Sequence, residues 1–269
     1  MKINLRKIFI ISILALCIIS INLAVFFQIT QKASENEELD EVVIDAAVLT
    51  ENFNNIFDYG INYQNNNINV QKIDNTKELV YTNYMNQEKK ENLYDINVNI
   101  PKINVNNEEA NIINTEINNL FYNKVNTVLA TKVYTIYGVK YKAYVNDNIL
   151  SLVISATLKE GENAQREIIK TYNYNLDTNQ QLDIDNILEY RKLSSEDVQK
   201  RVINTIEVAS QNAKVYSDLG YSKYKRNPKD DMYKLENTKV YFIGENKVIY
   251  IIYPYGNLNY TSELDLVVV

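Results

Sequence analysis

Three runs between residues 133 and 176 alternate apolar and polar positions, and the turns between them are too short to hold a crossover. That pattern commits this part of the chain to an antiparallel meander. The first run puts Val133, Tyr137, Val139, Tyr141 and Val145 on one side. Asn146-Asp147-Asn148 turns the chain, and Leu150, Leu152, Ile154, Ala156 and Leu158 line one face of the second run. Gly161-Glu162-Asn163 turns it again into residues 168–176. Side chains alternate across a strand, so each run presents one apolar face to a core.

The flanking segments add helices to this sheet. Residues 79–82 and 94–103 read as strands. The second alternates Ile96, Val98 and Ile100 against Asn97 and Asn99 before Pro101, which suits an edge or a strand end. From 108 to 130 the spacing becomes helical, with Ala110, Ile113, Ile117, Leu120, Phe121, Val125 and Val128 on one face. Beyond the meander, Asp177-Thr178-Asn179-Gln180 turns the chain and residues 182–188 lead away from the sheet. Ser194, with Asp197 three residues later, caps a helix that carries Val198, Val202, Ile206, Ala209 and Ala213. A polar, Tyr-rich connection (216–234) precedes strands at 239–243 and 248–253, joined by Gly244-Glu245-Asn246. A last strand alternates Leu264, Leu266 and Val268 against Glu263 and Asp265. The expected fold is α+β, an antiparallel sheet with packed helices over residues 78–269, in two subregions of about 78–176 and 177–269.

The N-terminal part has a different character. Residues 8–27 are almost unbroken apolar, about 20 residues and so roughly the 30 Å of a bilayer core in helical form. Lys2, Arg6 and Lys7 precede the run, while Glu35, Glu37 and Glu38 follow it. The positive-inside bias puts the leader (1–7) in the cytoplasm and the remainder outside, as a single-pass plasma-membrane protein. Alternative readings are a cleaved signal peptide, for which Gln31-Lys32-Ala33 and Leu23-Ala24-Val25 are poor sites, and lipidation at Cys17, which Leu16 disfavours. Residues 28–77 then form a stalk and linker. Leu39, Val42, Ala46, Leu49, Phe53 and Ile56 make a heptad seam on a stalk helix (39–57), which packs on its own domain or pairs a weak homodimer through anchor and stalk. An Asn-rich linker follows.

Composition narrows the chemistry. Without His, and with Cys17 inside the apolar run, His triads, His general bases and Cys or His metal sites are excluded, and the exported part has no disulfide. Setting aside Lys2, Arg6 and Lys7 leaves 25 of the 28 basic residues against 34 acidic ones, a formal charge of −9. That sign argues against nucleic acid and anionic lipid, and slightly favours a basic partner. The 22 Tyr and about 40 Asn fit an AT-rich genome.

Carboxylates remain as catalytic candidates. Asp183 with Asp185, and Glu263 with Asp265, are i, i+2 pairs that would project from one side of a strand. Such pairs hydrolyse glycosides or hold Ca²⁺ in other settings. Alternation assigns them to solvent, as it does the charged loop Lys229-Asp230-Asp231, so no catalytic, metal-binding or cofactor-binding residue is expected. The tyrosines are the better sign of function. Tyr134 and Tyr144 fall opposite the core side of their strand, and Tyr250, Tyr253, Tyr255 and Tyr260 crowd the C-terminal hairpin as candidate binding residues.

Residues 172–188 (YNYNLDTNQQLDIDNIL) resemble the aromatic-x-Asp/Asn-Leu-x-Thr-Gly-Lys-x-Leu-x-Leu-x-Asp-Leu stretch of a bacterial domain-of-unknown-function family, RsiV-like. Members form the ectodomain of the lysozyme-responsive anti-sigma-V factor and precede the catalytic domain of a peptidoglycan deacetylase. Residues 241–255 (YFIGENKVIYIIYPY) resemble its closing hairpin and 94–100 its opening strand. Asn179 stands where the family has its turn Gly, and Gly256-Asn257-Leu258-Asn259-Tyr260 replaces its Ala-Pro-rich bend. A seven-residue leader is too short to hold a sigma factor, and no His-bearing deacetylase domain follows. The resemblance implies a wall-facing module and carries over no catalytic residue. The expected function is a non-enzymatic extracytoplasmic binding or sensing module whose ligand is a basic, lysozyme-like protein or wall glycan. A wall-polysaccharide enzyme using surface carboxylates, or an envelope scaffold, is the alternative.

Overall fold

The computed structural model describes Phe57, Asn62–Tyr63 and residues 70–259 and 261–269, all within one compact unit. The expected anchor (8–27), the stalk helix apart from Phe57, and Tyr260 lie outside the described residues. Among the described residues no helix is long and apolar enough to cross a membrane.

The larger sheet runs β2 (Val80–Lys90), β3 (Tyr94–Ile103), β4 (Thr135–Asn146), β5 (Ile149–Glu160), β6 (Arg166–Asn175) and β7 (Gln180–Gln181), in that spatial order. The short β1 (Asn62–Tyr63) is added alongside β4. The meander is as the alternation requires, with β4, β5 and β6 antiparallel and Asn146 opposite Ile149 at the first hairpin. The sheet as a whole is mixed, which corrects the purely antiparallel expectation. β3 and β4 pair in parallel over Tyr94 to Val98, because the helices between them return the chain to the same end. Beyond Val98 that edge of β3 is free of β4. Asn114 occupies it, its amide accepting from Ile103 N at 2.8 Å and donating to Ile103 O at 2.9 Å. Pro101 sits in this same stretch, where a missing N–H costs no β4 ladder bond.

Two helices and a wider turn make that return: α1 (Glu108–Ile117), a π-helical turn (Asn118–Tyr122) and α2 (Asn123–Leu129). Ile117, Phe121 and Val125 are spaced four apart twice over, and the π-turn keeps all three on the sheet side. Leu120, expected on that face, is rotated outward to 48% exposure. Val133, also expected inside, lies ahead of β4 and is 54% exposed.

The second face of the large sheet is covered as well. β8 (Tyr241–Ile243), β9 (Ile249–Pro254) and β10 (Leu264–Val268) form a smaller antiparallel sheet. Val240, Phe242, Ile252 and Leu266 from it pack on Tyr144, Val153 and Ile169. Its other face buries Ile251, Tyr253, Tyr255 and Val267 against α3 (Ile184–Arg191) and α4 (Ser195–Asp218), through Ile187, Leu188, Val198, Val202 and Ile206. The order of layers is helix, large sheet, small sheet, helices. Tyr144 is therefore an interior residue rather than part of a free face.

With only 6 Gly in the chain, left-handed turn positions go to other residues. Asn92, Asp147, Asn179 and Asn246 all have positive φ. Asn and Asp tolerate this region because their short side chains bond locally. Asn179, at φ 57°, thus supplies the turn that a glycine would otherwise make.

Candidate functional site

Of the carboxylates that the sequence offers as pairs, Asp183, Glu263 and Asp265 are bonded to structural partners. Asp183 and Asp185 do not share a strand face. Asp183 is the N-cap of α3, accepting from Asn186 N at 2.8 Å while Asn186 Oδ1 accepts from Asp183 N at 3.1 Å, and Asp185 lies in the first helical turn. In the charged loop, Asp230 accepts from Asn227 Nδ2 at 2.7 Å and Asp231 pairs with Lys234 at 2.8 Å.

Asp265 and Glu263 depart further from expectation. Asp265 is buried, not solvated, because Arg226 from the Tyr-rich connection folds under β10. The guanidinium grips Asp265 with two bonds, Nε to Oδ2 at 2.8 Å and Nη2 to Oδ1 at 3.1 Å. It also donates to Glu263 Oε2 at 3.1 Å and to the Tyr224 carbonyl at 2.8 Å. Its carbon stands 4.8 Å from the centre of the Tyr255 ring, which stacks on Tyr224 at 4.0 Å. Tyr255 donates its hydroxyl to Asp265, and the Tyr233 hydroxyl lies 2.8 Å from it. Burial works against the Arg226 charge, but the Asp265 contacts outweigh it and hold the guanidinium pKa above its ordinary value. Burial raises the Tyr255 phenol, with Asp265 adding to the effect, and pushes Tyr233 up to about 12. One guanidinium bonds two carboxylates here, and these bonds tie the connection to the small sheet.

The candidate binding tyrosines divide. Tyr253 and Tyr255, at 3% and 0% exposure, are core residues, which corrects their assignment to a binding surface. Tyr250 is half-buried, stacked on Phe242 at 4.8 Å, with Tyr144 on the far side of that ring at 5.6 Å. Tyr260 lies outside the described residues. Alternation places Tyr250 and Tyr253 in a strand, as found, but could not show that both faces of that strand are covered.

A shallow, open groove runs along α1. Its volume is about 760 Å³, and it is lined by Asn106, Asn107, Glu108, Asn111, Ile112, Thr115, Glu116 and Asn119. The helical members recur at three- and four-residue spacing, so they form one outward stripe. Asn107 fixes the start of this stripe. Its Oδ1 caps Ala110 N at 2.9 Å, while its Nδ2 donates to Tyr174 Oη and to Asn179 Oδ1. Asn106 N bonds Gln71 O at 2.8 Å and holds the entering loop. Glu116 pairs with Lys170 at 2.7 Å at one side of the groove, and Ile112 stands half-exposed among the amides. The first turn carries Glu108 and Glu109, which disfavours an anionic guest. Sequence patterning left this stripe as the polar remainder of an amphipathic helix, so nothing in it signalled a groove. Among the described residues no group of three or more Asp, Glu, Cys or His side chains is placed to hold a metal ion.

No protein-family model and no curated protein matches the chain. Solved structures with a similar arrangement belong to the DUF3298 family, a bacterial domain of unknown function. One, from Pseudomonas aeruginosa PAO1, is 10% identical with a TM-score of 0.37, covering 66% of this chain and 82% of that one. Another, from Bacteroides fragilis NCTC 9343, is 10% identical with a TM-score of 0.36, covering 65% of this chain and 80% of that one.

Proposed function

We propose that this chain is a membrane-anchored, extracytoplasmic, non-enzymatic binding module of the RsiV-like kind, which engages a basic protein or a wall glycan through the groove on α1. The observation that carries this reading is the lining of the groove. Amides, a hydroxyl and carboxylates surround a half-exposed Ile112, a surface suited to hydroxyl- and amide-rich polymers or to lysine and arginine side chains. The net charge of −6 favours the approach of a basic partner. The apolar run at 8–27 supports the anchor, and the engagement of Asp183, Glu263 and Asp265 in internal bonds supports a role other than catalysis.

The test is retention of the full chain, in mild detergent, on purified wall fragments and on immobilised lysozyme. Thr115→Arg, which fills the groove with a cationic side chain, should weaken retention at least tenfold without changing the fold. Equal retention of the variant and the wild type would remove the groove from the account. Release of soluble muropeptides by the wild type above a blank would overturn the non-enzymatic reading.

A further inference from the structure

The far end of α4 presents a surface that the internal packing leaves uncovered. Val198, Val202 and Ile206 form its buried stripe, and that stripe stops at Ile206. Val208, Val215 and Leu219 then recur at spacings of seven and four, about a third of a turn away. They are 53%, 59% and 69% exposed.

The helix ends in a Schellman motif. Tyr221 N bonds Tyr216 O at 3.0 Å, Gly220 N bonds Ser217 O at 2.9 Å, and Gly220 has the left-handed φ of 87° that the motif needs. The Tyr216 and Tyr221 rings meet edge to face at 6.2 Å. The motif accounts for that aromatic contact, but not for the exposure of Val215 and Leu219 beside it. It also makes the patch a fixed shape.

Charge identifies the occupant. Across residues 214–225 there are three exposed lysines (214, 223 and 225) against one carboxylate, Asp218, in a chain whose net charge is −6. Lys223 Nζ stands 5.4 Å from the Tyr216 ring centre, at the rim of the apolar patch. Ser210 Oγ, bonded to Arg226 O at 3.0 Å, holds the Lys225 backbone beside the helix. Tyrosine and leucine ringed by lysine is the composition of a surface that seats at a bilayer interface, with rings at headgroup depth and ammonium groups on lipid phosphates.

We propose that the α4 terminus docks the domain on an anionic phospholipid surface through Val215, Tyr216, Leu219 and Tyr221, with Lys223 and Lys225 on the headgroups. This rests on the membrane-anchored reading, since a tether at 8–27 would keep the domain within reach of the leaflet.

The chain has no Trp, so a Leu219→Trp variant puts one reporter at the centre of the patch. The full-length variant is reconstituted with phosphatidylcholine vesicles, alone or with phosphatidylglycerol. Flotation with the neutral vesicles reads the anchor alone. If the chain fails to float there, it is added as free protein to the phosphatidylglycerol vesicles, and flotation with those still reads the patch. The expected result is a blue-shifted indole quenched by brominated lipid only when phosphatidylglycerol is present. Lys223→Gln and Lys225→Gln should each lower the docked-to-undocked ratio about fivefold.

An indole equally open to aqueous quencher in both lipids would overturn the proposal. A blue shift with soluble polyphosphate matching that with phosphatidylglycerol would overturn it in favour of a wall-polyanion site. A shift that follows protein density in neutral vesicles would overturn it in favour of self-association.

Discussion

Replacing Arg226 by Met tests the reasoning about the C-terminal layer most directly. The substitution keeps an apolar stem of similar length and removes the guanidinium. It therefore deletes both bonds to Asp265, the bond to Glu263 and the bond to the Tyr224 carbonyl at once. What matters is the charge left behind. The Asp265 side chain is 8% exposed and that of Glu263 20%, so neither carboxylate can regain full hydration without opening the β9–β10 layer. Removing one partner of such a buried pair costs about 3–5 kcal/mol. For a domain of this size that lowers the melting temperature by about 6–20 °C.

The double variant Arg226→Met/Asp265→Leu removes the two most buried charges and leaves only Glu263, whose side chain is 20% exposed, without its guanidinium. Tyr255 keeps Tyr233 as a hydroxyl partner, so the double variant should recover at least half of the loss. Urea melts of the full chain followed by circular dichroism measure both quantities. A single variant within about 0.5 kcal/mol of wild type, or a double variant no better than the single one, would refute the claim that a matched buried charge holds this layer.

Two further outcomes follow from the same packing. A Cβ at Gly256 would fall on the Glu167 carbonyl oxygen and within 2.6 Å of that of Thr261, so Gly256→Ala must push the β9–β10 connection off β6. It should destabilise by about 1–3 kcal/mol in urea melts, and a neutral result would mean the connection has slack. Alkaline titration should show buried phenols. Burial pushes Tyr233 and Tyr253 up to about 12, whereas the unfolded chain releases such protons near pH 10. Their contribution is therefore intact below pH 10 and lost between pH 10 and 12, at about 1.4 kcal/mol per pH unit for each phenol. Tyrosinate absorbance that rises in one step near pH 10 with the fold intact would place these rings in solvent.

The parts of the fold that were legible in the sequence are those governed by local period. The three meander strands and the inward stripe of α1 follow from where Val139, Leu152, Ile154, Ile113 and Ile117 fall, and all five are buried. What patterning could not supply is which second face meets water. Ser151, Val153 and Ser155 alternate with apolar residues and read as an outer face, yet all three are buried, with the small sheet packed on Val153 and bonded to Ser151. Asp265 was misplaced for the same reason, since its partner Arg226 lies 39 residues earlier in a stretch without period. Asp183 was a local miss, because Asn186 three residues on completes a capping box that the i, i+2 acid pattern obscured. The α1 groove arises from polar residues, which periodicity treats only as the side away from the core.

The placement of β1 has a mechanical consequence. β4 is paired in parallel with β3 over its first half, and with Asn62–Tyr63 at Tyr144 and Val145 in its second. A pull on the chain ahead of Asn62 therefore enters at an interior strand and not at the sheet's rim. That load meets Phe57, packed on the cluster around Tyr144 and Phe242, and then a ladder two residues long before it can reach the twelve-residue pairing of β4 with β5. The shorter ladder yields first. Its release lengthens the lead between the sheet and whatever holds the N-terminal end, and the layers that form the groove and the α4 terminus stay folded.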